Sequence, residues 1–391
     1  MKINITKFTS ATIALVPWIG NYRFLVSGFS LGELLIIIAL FLNLIKGEKT
    51  SLGTYSKTYR ILLLYYIYAI LAVFIITLIG NDLNYELVLK RTIKMGLYFI
   101  AISLLLPGRI NIDYFLKVYK LVVYFSCIAI IIQYLAYYIM GTYVVFKIPF
   151  LSFSSDSAEE FNYIDSRLFS FRPDSIFLEP SHFVYYVIGY IIVCLFLSRN
   201  TSPKILEAAL VSVCVLMSKS SFGIFVLVVI WLYFLITQII KKKISTSKKM
   251  KIIISVITIG FTVIILYLNS DLYESFSRLQ NSSYTSGSGA WAKASIGDVF
   301  TNSLGGFQKL FGVGLGNYPT GVFSTTVNFV FYCTGYIGII IMSYWALRSF
   351  VVSNHIGRVM ILCTVMLFFV WYLIYAPIFI LYNALIINNK K

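Results

Sequence analysis

Residues 221–240 read SFGIFVLVVIWLYFLITQII, twenty consecutive positions without a charged side chain. Coiled as an α-helix at about 1.5 Å per residue, the run is about 30 Å long, the thickness of a bilayer's hydrocarbon core. It has no polar stripe to turn toward water, so an amphipathic helix on a soluble core is excluded. Comparable runs recur near 10–27, 30–46, 60–80, 92–107, 116–140, 182–198, 204–218, 250–269, 325–347 and 358–375, with a short twelfth near 376–388. The expected fold is therefore an all-α integral membrane protein, a polytopic bundle of eleven or twelve transmembrane helices in a single membrane domain over residues 1–391.

Composition agrees. Apolar residues make up 59% and charged residues 12% of the 391 positions, against about 45–50% and about 25% in soluble domains, and the mean hydropathy is +0.86. The formal charge of +17 invites a nucleic-acid reading, but the basic residues lie mostly between the apolar runs. Lys241, Lys242, Lys243, Lys248, Lys249 and Lys251 have no aromatics among them, as in a cytoplasmic loop facing anionic lipid; no nucleic-acid partner is expected. Cys127, Cys194, Cys214, Cys333 and Cys363 fall inside apolar segments without metal-ligand spacing and read as buried thiols. No cleavable signal peptide is evident at the start, so the first helix is expected to direct insertion.

Charge also orients the chain. With the N-terminus in the cytoplasm, the inner side collects Lys2, Lys7, Lys46, Lys49, Lys57, Arg60, Arg109, Lys117, Lys120, Arg199, Lys204, the six lysines above, Arg348 and Arg358. The outer side collects Asp82, Glu86, Asp156, Glu159, Glu160, Asp165, Asp174, Glu179, Asp271, Glu274 and Asp298. Glu33 and Glu207, the acids nearest the spans, lie close to span ends and are expected to reach water. Two connections are long, 141–181 and 270–324, and both fall on the outer face. Loops of that length usually carry function.

The first ends in FRPDSIFLEPSHF, residues 171–183. Pro180 suits the first turn of a helix because its missing N–H would have no partner there, and Ser181 can serve the neighbouring donors. Glu179 and His182, three apart, would share one face of that turn. Arg172, Ser175, Phe177, Glu179, Pro180, Ser181 and His182 resemble the R-x-x-S-x-F-x-E-P-[AS]-H pattern of bacterial polysaccharide polymerases of the O-antigen and capsule type, often called Wzy. The resemblance is strongest over these residues and extends loosely to the span number and the two outer loops.

The resemblance implies a metal-independent membrane glycosyltransferase without a cofactor. It would move a growing glycan from a polyprenyl diphosphate carrier onto a lipid-linked repeat unit, at the outer face of a bacterial cytoplasmic membrane. A flippase and a chain-length regulator would be its partners. Arg172 would clasp phosphate oxygens, and Glu179 or His182 would take the acceptor proton. Ordinary roles compete, a helix-end carboxylate and an interfacial imidazole, but three ionisable groups together at a membrane mouth favour chemistry.

The turn MSKSSFG, residues 217–223, resembles the family's short S-[KR]-S/T-x-G turn, which makes Lys219 a further phosphate ligand; a snorkelling lysine accounts for it equally. In the second loop, Ser286 to Gly289, Trp291 and the later GVGLGNY of residues 312–318 match the family's Gly/Ser run, aromatic and glycine turn. The arginine expected beside that run is absent, leaving Arg278 or Lys293 as substitutes, with Arg167 a further candidate in the first loop. GVGLGN is not a dinucleotide fingerprint, since no strand precedes it. A ligase of the O-antigen type shares this architecture, but its catalytic histidine comes late in the chain. A lipid-linked sugar flippase would need charges along a path through the spans, and a sensor or scaffold would not need Arg172 or Glu179.

Overall fold

The computed structural model describes residues 4–24, 29–46, 55–79, 83–153, 171–197, 204–240, 302–315, 317–318, 325–371 and 373–387. Their regular structure is helical, apart from two isolated bridges, Tyr22 with Phe153 and Arg23 with Ser30. The helices are α1 Ile5–Ile19, α2 Leu31–Lys46, α3 Tyr55–Leu78, α4 Tyr85–Leu105, α5 Ile112–Met140, α6 Pro180–Phe196, α7 Ile205–Met217, α8 Ser221–Ile240, α9 Gly306–Phe311, α10 Thr326–Val352, α11 His355–Phe368 and α12 Ile378–Ile387. Four stretches among them, 58–78, 112–140, 221–239 and 326–352, are long and apolar enough to cross a membrane.

The two faces of α3 show why such a helix belongs in lipid. Leu62, Tyr65, Ala69, Ala72 and Ile76 are fully buried, whereas Leu64, Ile67, Leu71, Phe74 and Leu78 are 51–72% exposed. In water that Leu/Phe stripe would be an association surface; against hydrocarbon it costs nothing, and small residues such as Ala69 and Ala72 let neighbouring helices approach.

Several segment ends differ from the sequence expectation. The first helix starts before the apolar run, because Asn4 caps it by accepting from the Lys7 N–H and because Thr9 and Ser10 return their hydroxyl protons to the Ile5 and Thr6 carbonyls. Polar residues satisfied in this way do not end a helix. The eleventh run is divided: α11 stops at Phe368, and a 3₁₀ turn, Leu373–Tyr375, leads through Pro377 into α12. α12 is the short twelfth segment, ten residues long. The run 250–269 lies outside the described residues.

The chain forms two compact units. Unit 1 holds residues 1–125, 146–163 and 292–391, and unit 2 holds 126–145 and 164–291. In unit 1, α3 packs on α4 and α10, α1 on α2 and α12, and α11 on α10 and α12. In unit 2, α6, α7 and α8 pack on one another. Gly223 permits close approach there, since a Cβ at that position would lie 2.8 Å from Val184 and 2.9 Å from Val215.

Unit 1 contains a broken helix. Within α10, Gly335 adopts φ 64° and ψ −165°, which interrupts the ladder and leaves carbonyls to be satisfied from elsewhere. The turn after α9 supplies two donors: the N–H of Val313 bonds the Tyr332 carbonyl at 2.9 Å and that of Gly314 bonds the Cys333 carbonyl at 3.0 Å. The Tyr68 hydroxyl covers the Thr334 carbonyl at 3.0 Å. Val313 and Gly314 of GVGLGNY thus cap the break, a role beyond the tight turns that sequence suggests.

Glu33 corrects the expectation that it reaches water. It is 1% exposed and closes a capping box: the Ser30 N–H donates to its Oε2 at 2.8 Å and its own N–H donates to the Ser30 hydroxyl at 3.3 Å. Its Oε1 accepts from the Tyr98 hydroxyl at 2.7 Å and lies 2.9 Å from Lys94 Nζ. With both oxygens engaged, the buried charge is neutralised in place.

Candidate functional site

Unit 2 assembles the FRPDSIFLEPSHF motif from an anchor outward. Gln133, fully buried in the apolar part of α5, is that anchor. Its Nε2 donates to Asp174 Oδ1 at 2.9 Å and to the Val144 carbonyl at 3.0 Å, and its Oε1 accepts the Ser175 N–H at 2.9 Å. Tyr143 gives its hydroxyl proton to the same Asp174 oxygen at 2.6 Å, and the Ser175 hydroxyl bonds the Ser126 carbonyl at 2.7 Å. Asp174 and Ser175 are 4% and 1% exposed, so these bonds replace those that water would make.

Phe171 supplies the apolar half of the anchor. Its ring stacks on Tyr137 at 4.0 Å with 6° between planes, and Tyr134 meets it edge-on at 5.0 Å. Each such pair contributes about 0.5–1.5 kcal/mol. Held on both sides, Arg172 is half-buried between two fixed residues.

The helix mouth follows. Pro180 occupies the first position of α6, as its missing N–H favours, and Glu179 is the N-cap with extended backbone, φ −143° and ψ 149°. The Glu179 side chain does no capping. Instead the Ser181 hydroxyl donates to its Oε2 at 2.9 Å, so Ser181 serves the carboxylate and not, as sequence suggests, the backbone donors. Glu179 is exposed, and His182, half-buried, follows within the same turn, its N–H donating to the Glu179 carbonyl at 3.0 Å. The His182 ring lies 6.2 Å from that of Tyr185.

The MSKSSFG turn joins this mouth through two contacts. Tyr185 meets Phe222 edge-on at 5.4 Å, and Lys219 Nζ lies 5.6 Å from the centre of the Phe171 ring. Lys219 is 7% exposed, too buried for a lysine snorkelling into water. Its backbone is left-handed, φ 52°, as is that of Ser175, φ 65°. Non-glycine residues held there cost about 1–3 kcal/mol each and gather at functional sites; here the two strained positions belong to the two turns that meet.

The structure therefore gathers Arg172, Glu179, His182 and Lys219 in unit 2. Arg167, Arg278 and Lys293 lie outside the described residues. Gln133, Tyr143 and Asp174 carry the motif and were missed, although a lone amide in a span is a usable signal, since a polar group in hydrocarbon needs a partner. Replacing Gln133 by Leu should lower the unfolding midpoint of the purified protein by an amount equivalent to about 2–4 kcal/mol, because the Ser175 N–H and the Asp174 carboxylate lose their buried partner; thermal unfolding followed by circular dichroism measures it, and an unshifted midpoint would refute the anchor.

No protein-family model matches this chain, and no curated protein matches it in sequence.

Proposed function

We propose that the chain is a polymerase of lipid-linked oligosaccharide repeat units, acting at the outer face of a bacterial cytoplasmic membrane that it crosses eleven or twelve times from a cytoplasmic N-terminus. The observation that supports this reading is that the segment carrying Arg172, Glu179 and His182 touches the turn carrying the buried Lys219, through Lys219 on Phe171 and Phe222 on Tyr185. Two cations, a carboxylate and an imidazole are the groups needed to transfer a sugar from a diphosphate leaving group to a hydroxyl.

In this mechanism Arg172 grips diphosphate oxygens through paired N–H bonds and Lys219 adds a second, point-like charge. Glu179 is the base, because its carboxylate is exposed and not spent on capping. It takes the proton of the acceptor hydroxyl as that oxygen bonds to the anomeric carbon. The bond from that carbon to phosphate oxygen breaks, and polyprenyl diphosphate leaves with the electron pair. His182 orients the acceptor.

The test is purified protein in detergent with a polyprenyl diphosphate-linked repeat unit and no other protein. The proposal expects a ladder of products one repeat apart. A single transfer to an added lipid or protein acceptor would make the chain a ligase, and no transfer under either condition would overturn the reading.

Lys219 separates chemistry from folding. Lys219→Gly removes the ammonium but relaxes the left-handed backbone by about 1 kcal/mol, which offsets a lost cation–aromatic contact of about 0.5–2 kcal/mol. Stability should stay within about 1 kcal/mol of wild type while ladder formation slows by about tenfold, as for a lost charge-assisted bond. Unfolding midpoint and chain extension, measured on one preparation, check both halves.

A further inference from the structure

The first three turns of α4 in unit 1 hold Glu86, Lys90, Arg91 and Lys94. Lys90 Nζ lies 2.6 Å from Glu86, and Lys94 Nζ lies 2.9 Å from the buried Glu33. Each lysine thereby has a carboxylate partner. Arg91, half-buried, is treated differently. Its Nη1 donates to the Leu315 carbonyl at 2.6 Å, its Nη2 to the Tyr318 carbonyl at 2.9 Å, and its guanidinium stands 5.8 Å from the centre of the Tyr318 ring. Among the described residues no carboxylate lies within ion-pairing distance of it.

Neutral carbonyls fix a guanidinium but do not cancel its charge, and a half-buried charge is stable only with a counter-charge or water. The group formed by Glu33, Glu86, Lys90, Arg91 and Lys94 has two negative and three positive charges, a surplus of one. Holding carbonyls needs two of the five donors that arginine has; the other three are available to an anion. Lys94 follows one turn along the same helix face, with Glu33 taking only part of its donor capacity and 36% of its side chain exposed.

We propose that Arg91, with Lys94 beside it, is an anion site for a phosphate group, either the diphosphate of a lipid-linked substrate or the headgroup of an anionic phospholipid. The site lies in unit 1, apart from Arg172 in sequence and in unit, and does not depend on the polymerase reading.

The test uses the full chain in maltoside micelles, which contain no phosphate, and two probes. Radiolabelled inorganic pyrophosphate is measured by equilibrium dialysis, and bound phosphatidylglycerol is counted by native mass spectrometry. Arg91→Gln keeps donors for a carbonyl but removes the charge, and should weaken binding of one probe by about tenfold, as for a lost charge-assisted bond; Arg91→Lys should stay within about threefold. Lys94→Gln, which leaves both Arg91–carbonyl bonds in place, should also weaken binding and serves if Arg91→Gln fails to fold. An effect on pyrophosphate supports a diphosphate site, and an effect on the phospholipid alone supports a headgroup site. Equal binding of both probes by wild type, Arg91→Gln and Lys94→Gln overturns the inference. Pyrophosphate lost in Arg172→Ala but kept in Arg91→Gln and Lys94→Gln, with phospholipid binding unchanged, overturns it while leaving the polymerase reading standing.

Discussion

Glu179→Gln should slow chain extension by about two to four orders of magnitude, the contribution expected of a positioned general base, with the unfolding midpoint unchanged. The two halves of that expectation come from one geometry. The carboxylate sits at the N-cap without capping, so α6 does not rely on it, and glutamine keeps an oxygen to accept from the Ser181 hydroxyl at the 2.9 Å now spanned. Arg172→Ala, which would remove the proposed clasp on diphosphate, should cost about two to three orders of magnitude, as removal of a transition-state donor does. His182→Gln, in an orienting role, should raise KM more than it lowers kcat. Rates of ladder formation with a lipid-linked repeat, measured at saturating and limiting substrate, separate these. Should Glu179→Gln and Arg172→Ala both build long chains at the wild-type rate, the assigned chemistry is wrong.

The second large effect is structural. A Cβ at Gly335 would stand 2.3 Å from the Leu310 carbonyl oxygen, and one at Gly312 would stand 2.3 Å from the carbonyl of Cys333. Both obstacles are backbone, and both glycines have positive φ, 64° and 83°. Gly335→Ala and Gly312→Ala should each destabilise by about 4 kcal/mol or more, combining a strained conformation with a clash that no rotamer relieves. Gly306→Ala is the control: a Cβ there meets nothing within 4 Å, and it lies in α9, so it should be neutral or stabilising by about 0.5–1 kcal/mol. Monodispersity and midpoint in detergent, compared across the three variants, decide the matter.

Much of the helical layout was legible because hydrocarbon-length apolar runs have few alternative folds. α2, α6, α7 and α8 begin and end within two residues of the runs that announce them. Where the reading slipped, hydropathy was silent: on Asn4 as a cap, on hydroxyls satisfied inside α1, and on the division of the last apolar stretch before Pro377. Glu33 slipped for a related reason. Nearness to a span end suggested water, whereas its partners Tyr98 and Lys94 are remote in sequence and reach it only through the packing of α2 on α4.

Within the candidate site, the motif and the start of α6 were visible in residue types, because proline and a following helix have a local grammar. The anchor was not. Gln133 reaches Asp174 across forty-one residues, and nothing in the intervening chain announces the pairing. Likewise Arg91 holds carbonyls more than two hundred residues away, an arrangement that leaves no trace in spacing since any residue offers a carbonyl.

The first long connection is fastened at both ends by independent means. Its early part is tied in unit 1, where Phe153 stacks on Tyr22 at 5.4 Å and the Arg23 N–H bonds the Ser152 carbonyl at 2.8 Å. Its late part is tied in unit 2 by Gln133 and the aromatic nest around Phe171. Each of the two moorings is therefore held by contacts inside its own unit. A change of length or sequence between them should leave the contacts that hold the start of α6 in place.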